Sequence, residues 1–343
     1  MLDYIVVGLG LAGISFCEQL ERNGKSFVVF EDQSQFSSQV AGGLYNPVIL
    51  KRFTLAWEAK PQFDKAIPFY AEIESKLQTR VDEKIAVHRK FSSIEEQNNW
   101  FLAADKPGLS EFLDVTIKSN HNDALLADHG LGEVKFTGRI LVKKLIREYK
   151  CYLNERYKAE SFDHDDLGIK NDFVNYKGLK SRKIVFCEGF GLKQNPFFNF
   201  LPLNGTKGEL LTIKAPDLKL EKVLKSSVFL IPLGEDLYTV GATYNWDDKT
   251  NSTTEEAKVE LLEKLATLIQ CDYEIVKQSA GIRPTVIDRR PLVGSHPNHP
   301  HLAVLNGLGT RGVMLAPTIS EALYDYLEND IPLNIEIDIK RFQ

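Results

Sequence analysis

A glycine-rich turn near the start of the chain constrains the fold more than any other feature. Residues 8–13 read Gly8-Leu9-Gly10-Leu11-Ala12-Gly13, which is the pattern G-x-G-x-x-G. The turn follows an apolar, β-branched run typical of a buried strand, over residues 3–8, and opens a helical pattern over residues 12–22. A second apolar run, over residues 26–31, completes a β-α-β unit. This order of elements predicts a dinucleotide-binding site at the turn.

Each conserved feature of such a turn has a physical role in that prediction. Gly8 permits the tight bend, Gly10 lets a pyrophosphate approach the backbone, and Gly13 lets the helix pack against the strand. The first helical residues, Leu11 and Ala12, offer free N–H groups to the phosphates. A carboxylate at the end of the second strand binds ribose hydroxyls, and the sequence has Glu31 and Asp32 there. The three glycines could also simply make a tight turn, and the same fingerprint serves both NAD and FAD.

The rest of the chain predicts an α/β protein, α+β overall, with a Rossmann-like nucleotide-binding domain and a sheet-rich substrate domain interleaved in sequence. Helical patterns cover residues 56–80, 138–157, 254–270 and 316–328, and strand-like runs cover residues 182–187, 209–213, 228–232, 238–243 and 302–305. We assign residues 1–75, 135–205 and 275–343 to the nucleotide-binding domain. Residues 76–134 and 206–274 form the predicted substrate domain.

Composition narrows the class of protein. The 343 residues carry a net charge of −5, which argues against non-specific binding of polyanions. No apolar run reaches the ~18 residues that a membrane-spanning helix needs. The start lacks the basic segment and long apolar stretch of a signal peptide, so we expect a cytoplasmic protein. The cysteines are far apart and are expected to be reduced, packed thiols: Cys17, Cys151, Cys187 and Cys271. The sequence does not indicate an oligomeric state.

Two polar clusters invite a functional interpretation that we do not adopt. His296, His299 and His301 have a spacing that metal ligands can have, but they lie in a predicted exposed loop without an acidic or cysteine neighbour, so no metal site is expected. Basic residues recur within the helical pattern of residues 138–157. We interpret these residues as a solvated helix face, and contact with tRNA phosphates is the alternative. They are Arg139, Lys143, Lys144, Arg147 and Lys150.

Five further segments carry a family resemblance. In chain order they are Ala41-Gly42-Gly43-Leu44-Tyr45-Asn46-Pro47, Cys187-Glu188-Gly189, Val240-Gly241-Ala242-Thr243-Tyr244, Ala280-Gly281-Ile282-Arg283-Pro284, and the run from Asn306 to Pro317. Together with the first turn, they resemble the D-amino-acid oxidase/glycine oxidase superfamily of FAD enzymes. In motif detail the chain is most similar to glycine oxidase and to the flavin domain of the bacterial bifunctional enzyme that completes methylaminomethyl-uridine in tRNA.

This resemblance implies that the cofactor is FAD. Gly307, Gly309 and Gly312 precede a helix from about Val313, whose N-terminus in such enzymes points at the pyrimidine edge of the flavin and stabilises negative charge there. The small residues of the second segment would allow the isoalloxazine to approach the backbone. Beyond the first turn, the cofactor-binding residues implied are Ala41, Gly42, Gly43, Leu44, Cys187, Gly189, Gly307, Gly309, Thr310, Arg311, Gly312, Val313 and Met314.

The resemblance also implies the chemistry, which is oxidation of the C–N bond of a small amine or amino acid by hydride transfer to flavin N5. Arg283 matches the position of the family's carboxylate-binding arginine, and a guanidinium fork suits that task. Arg311 is a second candidate, and Tyr244 could donate its hydroxyl to the carboxylate; Tyr45 and Lys51 are weaker candidates. Two alternatives stay open: a flavoenzyme that modifies the wobble uridine of tRNA, and a flavin-binding protein without turnover.

Overall fold

The computed structural model describes all 343 residues. The strands are β1 Leu2–Val7, β2 Phe27–Phe30, β3 Leu44–Tyr45, β4 Val48–Ile49, β5 Thr54–Leu55, β6 Asp82–Lys84, β7 Val87–Lys90, β8 Leu131–Val134, β9 Gly138–Ile140, β10 Tyr157–Lys158, β11 Leu167–Ile169, β12 Val174–Tyr176, β13 Leu179–Phe186, β14 Thr206–Lys214, β15 Val223–Lys225, β16 Phe229–Gly234, β17 Leu237–Gly241, β18 Glu274–Arg283, β19 Leu292–His296 and β20 His299–Asn306. The α-helices are α1 Leu11–Arg22, α2 Ser37–Val40, α3 Ala59–Leu77, α4 Ile94–Ala104, α5 Val142–Leu153, α6 Glu255–Ala266 and α7 Gly312–Glu328. Short 3-10 helices cover Asn154–Arg156, His164–Asp166, Gly189–Gln194 and Ile339–Phe342.

The larger sheet is built around five parallel strands. β10, β2, β1 and β13 follow one another, and the far edge of β13 is shared by β12 and β20. Val6 of β1 lies opposite Val29 on one side and Val185 on the other. β11 and β19 extend the sheet by antiparallel pairing with β12 and β20. Because the five central strands run in the same direction, their carboxyl ends meet at one edge of the sheet.

Apolar residues on both faces of β1 explain why its sequence is a continuous apolar run. Tyr4 and Val6 join a core with α1 and α7 on one face, and Ile5 and Val7 join a second core on the other. Such two-sided burial is expected for a central parallel strand, whose successive side chains point to opposite faces.

The second sheet has seven strands in the order β18-β14-β17-β16-β15-β7-β8, of which only the β15 and β7 pair is parallel. α6 covers one face, where Leu261 and Leu265 pack in a common core with Leu211 and Ile213 of β14. Thr254 caps this helix, since its side chain accepts a hydrogen bond from the N–H of Ala257. Smaller sheets are formed by β3-β9-β6 and by β4-β5.

The predicted fold class is confirmed, with a Rossmann-like parallel sheet and a second sheet formed by interleaved parts of the chain. The residue bounds of the two domains stay a prediction; β18, mostly assigned to the nucleotide-binding domain, pairs along its length with β14 of the second sheet. One assignment was wrong. Arg139 does not belong to the basic helix face, because it lies in β9, is 7% exposed and pairs with Glu83.

The histidine cluster also differs from the expectation of an exposed loop. His296 and His299 belong to the β19–β20 hairpin, and their rings stack at 4.8 Å between centroids beside Phe197 and Phe198. No group of three His, Cys, Asp or Glu side chains is arranged to hold a metal ion. No helix has the length and apolar character needed to cross a membrane.

All four cysteines are free thiols, as predicted. Cys17 and Cys187 are buried, and Cys271 is partly buried. Cys151 is exposed, so the expectation that every thiol is packed was wrong for this residue.

Candidate functional site

The first glycine turn has the geometry that its sequence predicts. Gly8 has φ of +95°, and a Cβ there would lie 2.5 Å from the carbonyl oxygen of Cys187. A Cβ on Gly13 would lie 2.0 Å from the carbonyl oxygen of Gly8. Only glycine fits these two positions, because strand, turn and helix approach one another through their backbones.

The turn presents unpaired N–H groups at the start of α1. The first intrahelical hydrogen bond runs from the N–H of Ile14 to the carbonyl of Gly10, so Leu11, Ala12 and Gly13 have no acceptor within the chain. A helix N-terminus with three such donors is suited to a phosphate group. Gly10 keeps this approach open, because a Cβ there would meet only the side chain of Ser38, at 3.0 Å.

Acidic residues lie beside this turn. Glu31 follows β2, and its carboxylate accepts hydrogen bonds from the N–H of Leu9 at 2.6 Å and from the N–H of Gln33 at 2.7 Å. Asp32 accepts from the N–H of Ser34 at 2.9 Å and from the hydroxyl of Ser161 at 2.8 Å. The backbone therefore holds the Glu31 carboxylate against the turn, at the edge where the ribose of a dinucleotide would lie.

Two other predicted segments reach the same edge of the sheet. Cys187 follows β13 and donates its N–H to Val7 at 2.7 Å. The carbonyl of Gly189 accepts a hydrogen bond from the Asn306 side chain at 2.9 Å, which links the end of β13 to the end of β20. Gly307 follows β20 with φ of +75°. The cofactor residues predicted far apart in sequence thus converge because they follow neighbouring parallel strands.

A second helix N-terminus is formed by the start of α7. The N–H of Gly309 donates to Pro284 at 3.2 Å, while those of Met314 and Leu315 donate to the carbonyl of Arg311. The groups left without an acceptor are the N–H of Thr310, Gly312 and Val313. The side chain of Met314 is buried in the core, so this residue packs the helix rather than extending the row of free donors.

The helix α7 begins at Gly312, earlier than the pattern over residues 316–328 predicts, and it contains a proline. Pro317 lacks the N–H that would bond to the carbonyl of Val313. The buried hydroxyl of Tyr70 donates to that carbonyl at 2.9 Å. The helix can therefore start at Gly312 without a buried, unpaired acceptor.

The segment Ala41 to Leu44 passes between the two sheets. A Cβ on Gly42 would lie 2.8 Å from Cδ1 of Ile231, and one on Gly43 would lie 1.9 Å from the carbonyl oxygen of Ile140. The carbonyl of Gly43 accepts a hydrogen bond from the N–H of Ile140 at 2.9 Å, and Leu44 of β3 pairs with Arg139 of β9. Ala41 is exposed directly after α2. The close approach of the backbone thus requires glycine at position 43, whereas a Cβ on Gly42 would meet only the end of the Ile231 side chain.

Arg283, at the end of β18, lies across the glycine of a neighbouring strand. A Cβ on Gly208 of β14 would lie 2.1 Å from Nη2 of Arg283, so the guanidinium occupies the space that a side chain would take. Nη1 donates to the carbonyl of Thr243 at 3.3 Å. The guanidinium carbon lies 4.5 Å from the centre of the Tyr244 ring. None of the ion pairs in the structure involves Arg283.

Arg311 is a second guanidinium without a carboxylate partner. It precedes α7, and its Nη1 donates to the carbonyl of Asn46 at 2.7 Å. Burial lowers the pKa of Arg311 and of Arg283, while the nearby Tyr244 acts in the opposite direction on both. Both groups stay charged at neutral pH, since an arginine titrates far above it. A desolvated cation is costly unless an anion pairs with it.

Backbone contacts bring the two arginines to one place. The hydrogen bond from Gly309 to Pro284 joins the turn before Arg311 to the residue after Arg283. The ring of Tyr244 lies over Arg283, and this residue is 60% exposed. The three residues predicted to act on substrate therefore form one cationic site at the N-terminus of α7.

Other residues of this site are not indicated by a motif in the sequence. Gly208 has the same importance as the glycines of the turns, but a lone glycine in a strand pattern does not reveal which distant side chain lies over it. The carbonyls of Asn46 and Thr243 orient the guanidinium groups, and a backbone acceptor leaves no mark in residue type.

The weaker candidates lie elsewhere. Tyr45 is 1% exposed and donates its hydroxyl to Asp82 at 2.8 Å, which makes it a packed structural residue. Lys51 lies in an exposed turn. A surface cavity of about 500 Å³ opens beside Phe63, Ile67 and Phe136; Tyr45 lines it, whereas Lys51, Arg283, Arg311, Tyr244 and the predicted cofactor residues do not.

The residues at the sheet edge fit FAD. The glycine cradle at Gly8 and Gly13 would be filled by a Cβ, and unpaired N–H groups stand at the start of α1 and of α7. The first set suits the pyrophosphate and the second suits the negative edge of a flavin ring, since a helix N-terminus favours negative charge. A nicotinamide dinucleotide would have no use for the second set.

Comparison with known proteins decides the family. Residues 3–326 match the family model described as FAD dependent oxidoreductase, abbreviated DAO. The chain belongs to this family. The prediction of an FAD-dependent oxidoreductase is thereby confirmed, and FAD is its cofactor.

Individual relatives are distant in sequence. The tRNA 5-methylaminomethyl-2-thiouridine biosynthesis bifunctional protein MnmC of Campylobacter jejuni subsp. doylei is 24% identical over 300 residues, which cover 84% of this chain and 45% of that protein. The chain thus spans less than half the length of that relative. Glycine oxidase of Pseudomonas aeruginosa is 23% identical over 357 residues, which cover 96% of this chain and 95% of that protein. The predicted resemblance to both kinds of enzyme is confirmed.

Solved structures share the fold. The crystal structure of L-proline dehydrogenase from P. horikoshii superposes with a TM-score of 0.81 at 13% identity and covers 99% of this chain and 97% of that chain. At this level of identity the likeness concerns the fold alone.

Proposed function

We propose that this FAD-dependent oxidoreductase oxidises the C–N bond of a small amine or amino acid that carries a carboxylate. The observation that carries the proposal is the pair of partly buried guanidinium groups, Arg283 and Arg311, which have no carboxylate partner in the chain and flank the N-terminus of α7. A substrate carboxylate would supply the anion that this site lacks.

The division of labour follows from the positions of the side chains. Arg283 would bind both oxygens of the carboxylate. Its planar guanidinium lies over Gly208 and is oriented by the hydrogen bond to the carbonyl of Thr243. Tyr244 would donate its hydroxyl to the same group. When bound, FAD supplies the two-electron acceptor for a hydride from the carbon next to nitrogen. The chain itself then has to orient the substrate, and no acid–base pair is required.

The printed names of relatives agree with this substrate class. Glycine oxidase, a relative in sequence, is named for an amino acid. This name supports a small amino acid as the substrate.

The test is an anaerobic titration of the FAD-loaded protein with glycine, sarcosine, proline and D-amino acids, followed by the flavin absorbance. Bleaching by at least one of these amines is the expected result. A protein that binds FAD but is bleached neither by these amines nor by modified tRNA would be a flavin-binding protein without turnover.

A second candidate is oxidation of a carboxymethylamino group on a tRNA wobble uridine. The sequence similarity to MnmC, which is named for tRNA 5-methylaminomethyl-2-thiouridine biosynthesis, favours it. The exposed rings of Tyr244 and Trp246, near the cationic site, could stack on a base. The same arginines would bind the carboxylate in either case. Bleaching by tRNA bearing the carboxymethylaminomethyl group, without bleaching by free amino acids, would make this the function.

The basic residues around α5 give little support to a tRNA surface. Lys144 bonds to the carbonyl of Arg80, Arg147 pairs with Glu148, and the ammonium of Lys150 lies 5.2 Å from the centre of the Tyr157 ring. With Arg139 buried in β9, these residues resemble a solvated helix face more than a phosphate-binding patch.

A further inference from the structure

Lys207 is a buried cation that the proposed chemistry does not use. It is 1% exposed, in β14, and its ammonium bonds to the carboxylate of Asp248 and lies 3.4 Å from Oε1 of Glu209. Burial of an ammonium is costly, and its own partners compensate for the cost here.

Lys207 lies directly behind the cationic site. Successive side chains of β14 point to opposite faces of the sheet. Gly208 therefore faces Arg283, whereas Lys207 and Glu209 lie on the face that Leu211 shares with α6. Lys207 cannot contact the substrate that Arg283 binds, because the sheet separates them.

The main chain of Lys207 is paired with the segment that carries Tyr244. Its N–H donates to the carbonyl of Asn245 at 2.9 Å, and its carbonyl accepts from the N–H of Asn245 at 3.0 Å. This bridge continues the pairing of β14 with β17 beyond the end of β17. Asn245, which follows Tyr244, is thus fixed to Lys207, which precedes Gly208.

Asp248 connects the ammonium to the following loop. Its carboxylate also accepts from the N–H of Thr250 at 2.7 Å and from the hydroxyl of Thr250 at 2.8 Å. The Asn245 side chain accepts from the N–H groups of Asp247 and Asp248 at 2.8 and 2.9 Å. The loop over residues 245–250 is therefore internally tied and anchored to the sheet through Lys207, and the Lys249 ammonium adds a hydrogen bond to the carbonyl of Gly205 at 2.9 Å.

We propose that Lys207 is a positioning residue for substrate binding. Through Asp248 it fixes the loop over residues 245–250 and so holds Tyr244 over Arg283. This inference rests on the proposed function, in which Arg283 and Tyr244 bind a carboxylate. Loss of the Lys207–Asp248 pair would leave the loop held by the Lys207–Asn245 backbone bridge and by Lys249 alone. The loosened loop would let Tyr244 shift and would weaken carboxylate binding, while the chemistry of a bound substrate would be unchanged.

The fold around Glu209 does not depend on this pair. Glu209 also accepts hydrogen bonds from the N–H and hydroxyl of Thr254, both at 2.9 Å, and from the Gln278 side chain at 2.8 Å. Three neutral donors would still pair with this carboxylate if Lys207 were replaced. Asp248 is at the more exposed end of the pair and is the safer position for substitution.

The experiment compares Asp248→Ala, Asp248→Asn and Lys207→Met as FAD-loaded proteins. We expect KM for the best amine substrate to rise about tenfold in Asp248→Ala and Lys207→Met, with kcat within about twofold of the unchanged protein. Asp248→Asn keeps an oxygen acceptor and should give an intermediate KM. The matched control is Lys258→Met, which removes an ammonium paired with Glu255 on α6, away from the loop.

Binding of acetate, a carboxylate with no amine to oxidise, provides a readout that does not depend on turnover. Its dissociation constant, taken from the change in flavin absorbance, should rise in the same order as KM. Folded, FAD-loaded Asp248→Ala with unchanged KM and acetate affinity would overturn the role of Lys207, as would a loss of kcat at constant KM. Unchanged protein that neither binds acetate nor is bleached by any amine would overturn the proposed function and this inference together.

Discussion

Gly208 has its effect on the site through the side chain that it lacks. A Cβ on Gly208 would lie 2.1 Å from Nη2 of Arg283, so the guanidinium fills the space that a side chain would need. Gly208→Ala should therefore displace the guanidinium and raise KM for a carboxylate substrate at least about tenfold, since a shift of about 1 Å can cost that much or more. FAD content should not change, because Gly208 belongs to neither of the glycine turns at the two helix N-termini.

The control for that variant is Gly168→Ala. A Cβ there would make an ordinary contact, 3.6 Å from the carbonyl oxygen of Asn175. Steady-state kinetics on the two variants measure the expected difference in KM. If Gly208→Ala kept the KM of the unchanged protein, Arg283 would not bind substrate in the orientation described.

The glycines of the first turn separate cofactor binding from folding. Gly10 has φ of −80°, which alanine adopts readily, and a Cβ there meets only the Ser38 side chain. We expect Gly10→Ala to fold but to bind FAD at least about tenfold more weakly, because the methyl group blocks the phosphate. Gly13→Ala would place a Cβ 2.0 Å from a backbone carbonyl and should lose stability as well as FAD.

Apoprotein melting temperature and an FAD titration distinguish the two effects. A Gly10→Ala protein with full FAD affinity would show that the pyrophosphate does not lie on this turn. Equal melting temperatures for Gly13→Ala and the unchanged apoprotein would contradict the packing role of Gly13.

At the scale of elements, α7 carries a buried ion cluster at its end opposite the site. Glu328, its last residue, accepts hydrogen bonds from Tyr4 at 2.6 Å and Lys183 at 3.0 Å and also pairs with Lys25. Burial alone would raise the pKa of the Glu328 carboxyl, but these hydrogen bonds outweigh it and lower the pKa to about 2. The cluster also offsets the unfavourable placement of a negative charge at a helix C-terminus.

The lowered pKa predicts a defined dependence of stability on pH. A group whose pKa is lower in the folded state contributes stability above its unfolded pKa, near 4.5, and loses it as the pH falls towards 2. Glu328→Gln should lower the free energy of unfolding at pH 7 by about 1–2 kcal/mol, less than the full shift implies because water screens the pair. Its stability should then fall less between pH 5 and pH 2 than that of the unchanged protein.

Urea unfolding at several pH values measures this contribution. Glu255→Gln is the control, because Glu255 is exposed and pairs only with Lys258. Parallel curves for Glu328→Gln and the unchanged protein across the acid range would contradict the assignment.

The elements also show which parts of the fold the sequence could reveal. The first β-α-β unit was predictable because its periodicity, its glycines and Glu31 all point to one structure. The i, i+4 spacing of Arg139, Lys143 and Arg147 fits a helix, but Arg139 pairs in β9 with β3 and β6, since strand pairing overrides local pattern. The pairing of β7 with β15 joins residues far apart in the chain and leaves no local signal.

For the molecule as a whole, the site forms where separate parts of the chain meet. α2 lies between the two sheets: Ser38 is the nearest neighbour of Gly10, and a Cβ on Gly281 of β18 would lie 2.5 Å from Cγ2 of Val40. The family resemblance pointed to Arg283, Arg311 and Tyr244, which the fold brings together. Sequence alone could not give their spacing or the support from Gly208 and Lys207, because these depend on contacts between distant strands.

The most direct test of the central claim is anaerobic flavin bleaching by carboxylate-bearing amines, measured for the unchanged protein and for Arg283→Leu. The account predicts bleaching of the unchanged protein by at least one such amine. It also predicts that Arg283→Leu, with FAD still bound, needs about a hundredfold more of that amine for half-maximal bleaching, because a partly buried, charge-assisted contact is lost. Equal bleaching of both proteins at the same concentrations would contradict it.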